Sequence, residues 1–151
     1  MESFAEFKPR IVIAASADAY KAAAELGARQ AQVILRPLLA LAPFTRERIN
    51  TAFELDKAGA RVALAPFSDS PEALQGVFFR AAELVQFGFP REKALSALTL
   101  APAEMLGIEK RVGSIEAGKD ADLLLFSADP LSSQSRLQEV YLNGKLVYPG
   151  E

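Results

Sequence analysis

The side chains able to do chemistry in this sequence are few, because it contains no histidine and no cysteine. Those two absences remove the commonest neutral-pH general base, the commonest transition-metal ligand, zinc–thiolate sites, disulfides and a cysteine nucleophile. Catalysis by this chain alone must run on Asp, Glu, Lys, Arg, Tyr, Ser or Thr. Asp69 is the most suggestive of these. It sits in Pro66-Phe67-Ser68-Asp69-Ser70-Pro71, a turn-rich segment that delivers a carboxylate just past the apolar run 61–65. By itself, an Asp placed before Ser-Pro and a helical pattern is more often a turn former or an N-terminal cap than a catalyst. Arg36 also follows an apolar run and could reach an anionic substrate, although a snorkelling surface arginine is the ordinary account. Ser16 and Ser68 close strands and could line a pocket or act as loop caps. Asp120 and Asp122 offer too few oxygens for calcium, which takes about six to eight, and read as part of a turn. Phe78-Phe79 and Phe87-Gly88-Phe89 could border an aromatic site, but helical spacing assigns the first pair to packing.

The elements that must position these residues are legible as apolar runs. Ile11 to Ala15, Gln32 to Leu35 and Arg61 to Ala65 are short and lack polar alternation, the pattern of parallel strands buried on both faces. Between them the sequence predicts an amphipathic helix over 19–28, with Lys21, Glu25 and Arg29 as its solvated stripe, and a second helix capped by Thr45 and running to about Ala58. Glu72 to Phe87, Glu92 to Leu100 and Pro102 to Leu106 supply three more. The tail changes character: Leu123 to Phe126 reads as a strand, and a hairpin turns at Asn143-Gly144. Strand, helix, strand, helix, strand, helix and then a β-rich end imply an α/β fold with an appended β module. It is either a small doubly wound sheet or consecutive units of a larger barrel.

Composition bounds the partners. Of 151 residues, 50% are hydrophobic, so the chain can form a globular core. Seventeen Lys and Arg against 19 Asp and Glu, a net charge of −2, are too balanced for a phosphate backbone or an anionic membrane, so neither nucleic acid nor membrane is expected as a partner. The start, residues 1–10, lacks the apolar core and cleavage pattern of an export signal, and a cytoplasmic location is expected.

Three segments narrow the choice of fold. Thr99-Leu100-Ala101-Pro102-Ala103-Glu104-Met105-Leu106-Gly107 is followed by Val112-Gly113-Ser114-Ile115-Glu116-Ala117-Gly118-Lys119-Asp120-Ala121-Asp122-Leu123, and Val140 to Val147 carries Gly144-Lys145. Together they resemble the C-terminal signature of the metal-dependent amidohydrolase superfamily, including its imidazolonepropionase-like and dipeptidase-like members: T-x-x-P-A-x-x-L-G, then G-x-I-x-x-G-x-x-A-D-L, then V-x-x-x-G-K-x-V. The resemblance implies the last three β/α units of a TIM-type (β/α)8 barrel followed by a small C-terminal β module of a composite β-sandwich. Residues 1–9 would be an N-terminal extension, 10–110 the partial barrel and 111–151 the sandwich segment. Asp69 then matches the aspartate after the eighth strand, which in the family ligates metal and takes a proton from the attacking water. The family's other ligands are mainly histidines on earlier strands, and one expected near Ala14 to Ser16 in some members has no counterpart here. A divalent metal, zinc foremost, is therefore expected of the complete enzyme, and none is expected to be held by this chain alone.

Three parallel strands leave two unpaired edges, which a barrel removes only by closing. The expected partner is the missing N-terminal barrel portion or a second copy of the chain, together with a small-molecule substrate. One reading is the C-terminal part of a hydrolase that cleaves C–N bonds, non-peptide or dipeptide-like, with metal-activated water, the chain alone being inactive. The other is a non-catalytic α/β assembly module derived from the same family.

Overall fold

The computed structural model describes residues 10–149; the expected N-terminal extension, residues 1–9, lies outside them. Strands β1 (Val12–Ala15), β2 (Gln32–Leu35) and β5 (Arg61–Leu64) form a parallel sheet in the order β1-β2-β5. Ile13, Val33 and Val62 share one register position, and Ala15, Leu35 and Leu64 the position two residues on. Side chains alternate faces along a strand, so both rows point the same way. Val33, Leu35, Val62 and Leu64 from these rows meet Leu55, Leu84 and Phe89 in one core under the helices. The crossovers are α1 (Ala23–Ala28) between β1 and β2, and α2 (Thr51–Ala58) between β2 and β5. Helix α3 (Pro71–Gln86) follows β5, and α4 (Arg91–Leu98) and α5 (Leu100–Leu106) follow it.

Two local expectations give way. The first crossover is not one helix: Ala17–Ala22 is 3-10 and only Ala23–Ala28 is α. Lys21 accordingly reaches back to Asp18 at 3.0 Å, and Glu25 pairs with Arg29 at 3.1 Å. Nor does Thr45 cap the second helix. Its hydroxyl receives the Glu47 N–H at 3.1 Å within a short excursion, where β3 (Ala40–Leu41) pairs antiparallel with β4 (Arg48–Ile49). The cap is Asn50, whose side-chain oxygen accepts from the Phe53 N–H at 3.2 Å. Its amide nitrogen donates to the Leu84 and Phe87 carbonyls at 2.7 and 3.2 Å, so one buried residue closes the start of α2 and the end of α3 together.

Strand β1 also differs from its sequence pattern. Its apolar run reads as buried on both faces, yet Ile13 is 37% exposed and Ile11, just before it, 67%. Packing explains this: β5, the other edge strand, is covered by α2, α4 and α5, whereas β1 packs chiefly on its neighbour β2.

Helix α5 sits at the amino end of the sheet. Arg10, just before β1, donates to the Glu104 and Met105 carbonyls at 3.1 and 3.4 Å, and Arg61, the first residue of β5, pairs with the Glu104 carboxylate. The tail is an antiparallel meander of β6 (Leu123–Phe126), β7 (Leu137–Leu142) and β8 (Lys145–Pro149). Asn143 (φ 49°) and Gly144 (φ 72°) make the two-residue turn between β7 and β8, the left-handed pair that a hairpin favours. The meander is tied back by Arg91, which grips Asp129 at 2.7 Å through Nε, and by Phe126 packed edge-on against Phe78 with ring centroids 5.3 Å apart.

Candidate active site at the carboxyl edge of the sheet

Because β1, β2 and β5 are parallel, their carboxyl ends emerge on one edge, and there the structure gathers the predicted site residues. Ser16 follows β1, Arg36 follows β2, and Ser68 and Asp69 lie beyond β5. The Ala65 N–H donates to the Leu35 carbonyl at 2.8 Å, which carries the β2–β5 ladder one residue past the strands and starts the Asp69 loop beside Arg36.

The Asp69 loop is held from both sides. Ser68 Oγ accepts the Ser70 N–H at 3.3 Å, and Ser70 Oγ accepts the Ala73 N–H at 3.3 Å as the cap of α3, with Pro71 in the first turn. The cap is therefore Ser70. Asp69 is exposed and, among the described residues, its carboxylate accepts no hydrogen bond and joins no ion pair. Ser68, expected at a pocket wall, is exposed on this edge and keeps its O–H donor beside the bond it accepts from the loop backbone. Ser16 is exposed before the 3-10 helix; its carbonyl takes the Ala19 N–H, and its side chain makes no capping bond.

Arg36 is exposed but not loose. The Leu38 N–H returns to the Arg36 carbonyl at 2.8 Å, closing a tight turn around buried Pro37, and the guanidinium lies 5.7 Å from the centre of the Phe67 ring. Phe67 is the residue that sequence reasoning missed. The available signal was its place two residues before Asp69 between two prolines, which gives an exposed aromatic a fixed position.

The donor set of the described residues does not fit a metal. Among the described residues no group of three or more His, Cys, Asp or Glu side chains converges, and Asp69 is a single carboxylate where a stable site takes at least about three protein ligands. Asp120 and Asp122 are occupied elsewhere: Asp120 pairs with Arg111 at 2.7 Å, and Asp122 accepts the Asn143 N–H at 2.8 Å and so ties down the hairpin turn. No helix among the described residues is long and apolar enough to cross a membrane.

Parallel β/α units with polar groups at their carboxyl edge, followed by an antiparallel meander, define the class as an α/β protein of the kind that places its chemistry at strand ends. The model of the amidohydrolase family matches residues 47–148, and the chain belongs to that family. It is 33% identical over 150 residues to the imidazolonepropionase of Shouchella clausii, covering 91% of this chain and 33% of the relative. An amidohydrolase from Thermotoga maritima superposes on 98% of this chain with a TM-score of 0.80 and 33% identity, and the match covers 39% of that structure. A more distant neighbour in fold, an adenosine deaminase from Xanthomonas campestris with bound zinc, gives a TM-score of 0.59 at 21% identity. The chain thus spans well under half the length of these relatives.

Proposed function

We propose that this chain is the C-terminal part of an amidohydrolase-type hydrolase acting on C–N bonds, with Asp69 as the group that accepts the proton of the attacking water. The observation that carries the reading is Asp69 itself: exposed, without a hydrogen-bond partner among the described residues, and relieved of capping by Ser70. A carboxylate left free at a strand's carboxyl end by two hydroxyls that fix its loop suits a proton acceptor better than a structural group. Residues 10–110 are then the last three units of a (β/α)8 barrel, and 111–151 the C-terminal part of a composite β-sandwich.

The divalent metal, zinc foremost, belongs to the completed enzyme, where it would supply activated water. Its cage must come from polypeptide outside this chain, and so must the loops that select the substrate. The chain alone is accordingly inactive. Ser16 and Arg36 stand on the same edge as Asp69 and face the substrate in that completed site.

The test is to co-express the chain with the part of the Thermotoga maritima amidohydrolase that has no counterpart here. Amide hydrolysis is expected in the complex and in neither part, and metal uptake in the complex but not in this chain alone. Asp69→Asn is expected to lower turnover at least about 100-fold, the usual contribution of a positioned base, while leaving the unfolding midpoint unchanged. Full turnover by that variant would remove Asp69 from the reaction and leave the non-catalytic assembly module as the account of this chain.

A further inference from the structure

The excursion between β2 and α2 ends in an aromatic that no described residue covers. Phe44, at the tip of the β3–β4 hairpin, is fully exposed, and Leu41 on the same hairpin is 64% exposed. Phe44 also holds φ at 61°, a left-handed conformation that a bulky L-residue adopts only where its surroundings impose it. The tip does impose it. The Ala42 carbonyl accepts the Thr45 N–H and hydroxyl, both at 3.2 Å, the Ala42 N–H donates to the Glu47 carbonyl at 2.9 Å, and Thr45 Oγ1 accepts the Glu47 N–H at 3.1 Å. Strained positions held this firmly cluster at functional sites.

The hairpin is anchored away from the nearest shelter for that ring. Arg48 of β4 pairs with Glu83 of α3 at 3.7 Å and lies 5.7 Å from the Phe87 ring centre. About 10 Å back along α3, seven residues at about 1.5 Å each, is Gly76, on the wall of a cavity of about 440 Å3 that Pro37, Pro66, Phe67 and Val77 also line. A Cβ on Gly76 would meet nothing within 4 Å, so the helix leaves this wall open. Glu72 and Arg80 line the cavity as well. With Gly76 and Glu83 they fall on one helical face, so the hairpin anchor and the cavity open on the same side of α3. Charge is complementary between the two. Arg46 and Glu47 follow Phe44 on the tip; among the described residues Arg46, Glu47 and Glu72 join no ion pair, and Arg80 reaches only Glu83, at 3.6 Å.

We propose that two copies of this chain associate about a two-fold axis by exchanging hairpins, Phe44 of each entering the cavity of the other, with Arg46 meeting Glu72 and Glu47 meeting Arg80. A knob and a hole set apart on one side of one helix meet the condition for such a contact, because in a two-fold pair each knob faces the other copy's hole. The contact is small. A buried aromatic contributes about 150–250 Å2, and two of them fall well short of the roughly 1,200 Å2 where stable interfaces begin, so the dimer belongs to the weak class, with Kd between about 1 μM and 1 mM. It also reaches the candidate site, since Pro66 and Phe67 begin the loop that carries Asp69, and a ring seated against them braces that loop. The association itself does not depend on the chemistry of Asp69.

Sedimentation equilibrium of the full chain, up to about 1 mM protein, reads the proposal, and a reversible monomer–dimer equilibrium is expected. Phe44→Ser, which removes the knob, and Gly76→Leu, which fills the hole from a helical position with open space around it, should each weaken association at least about tenfold while circular dichroism shows the fold intact. Arg46→Glu and Glu72→Arg should each weaken it, and the two together should restore it, a recovery that no contact elsewhere would give. A chain that is monomeric throughout this range overturns the proposal. So does a dimer indifferent to Phe44→Ser, which would place the contact on the β1 edge or in the cleft between α3 and the meander. If the chain stays monomeric and Phe44→Ser weakens only its complex with the co-expressed barrel portion, the ring seats on that portion and the second copy is excluded as its partner.

Discussion

Replacing a helical glycine by alanine ordinarily stabilises, and in this chain the same substitution should act in opposite directions at two helices. Gly27 lies in α1 where it crosses α2. A Cβ built there falls 2.7 Å from the Ala58 Cβ and closer still to the Ala58 carbonyl, whereas ordinary contacts begin near 3.4 Å. The obstacle is the backbone of the last turn of α2, which no rotamer change can move aside. The helices must separate by most of an ångström, and overpacking of this kind costs about 1–3 kcal/mol or more, here at the upper end because the clash is with main chain. Alanine returns about 1 kcal/mol of helix propensity, so the net loss is about 2 kcal/mol. Gly76, within α3, has nothing within 4 Å of the same hypothetical atom, and only the favourable term of about 0.5–1 kcal/mol remains. In a chain of this size 1 kcal/mol shifts the melting temperature by about 2–4 °C, so Gly27→Ala should melt about 4–8 °C lower and Gly76→Ala about 1–4 °C higher. Thermal unfolding followed by circular dichroism reads both. A Gly27→Ala protein as stable as the parent would show that the α1–α2 approach is not what requires glycine. Since α2 packs on β5, the same displacement would reach the strand that carries the Asp69 loop.

Other perturbations separate single contacts. Gly107→Ala should lose about 2–3 kcal/mol in urea unfolding: φ is +74°, which costs an L-residue about 1–2 kcal/mol, and the new methyl would displace the Arg10 guanidinium from the carbonyls it holds. Gly118→Ala, at φ +90° with open space around it, should lose the backbone part alone. Asn50→Ala should cost about 2–4 kcal/mol by removing the α2 cap and orphaning two α3 carbonyls, with a far smaller loss if calorimetry shows those carbonyls rehydrated. The Asp129 carboxyl is held below the usual carboxylate range, first by the Arg91 guanidinium and then by the Leu131 N–H. A depressed folded value means the contribution is present above about pH 4 and lost as pH falls through it. Asp129→Asn should therefore lower stability at pH 7 and progressively less as pH falls below about 4, and a difference independent of pH would exclude the pair as its source.

What the sequence disclosed and what it withheld divide along range of interaction. The ends of β2 and β5, the placement of Asp69 and the Asn143-Gly144 turn follow from apolar runs, prolines and glycine conformation, all written within a few residues. Asn50 was hidden because its value as a cap comes partly from carbonyls 34 and 37 residues away. Thr45 was the better local signal, and a two-residue ladder between β3 and β4 overrode it. The place of Phe67 was hidden for a related reason: its ring meets a guanidinium that follows another strand.

The exposure of β1 teaches the converse. A pattern of side chains records the burial a segment requires, whereas a structure of this chain records the burial it receives, and the two disagree in two places. Ile11 and Ile13 lie open on the sheet edge. Helix α3 is apolar on most sides, yet Phe79 is 66% exposed and Leu74 50%; both border a cleft of about 590 Å3 against Leu124 and Leu137 of the meander. Large apolar side chains left about half exposed forgo about 1 kcal/mol each, so this surface withholds several kcal/mol from a fold whose whole stability is of order 5–15. The match leaves 61% of the Thermotoga maritima structure without a counterpart in this chain, enough polypeptide to cover both exposed places.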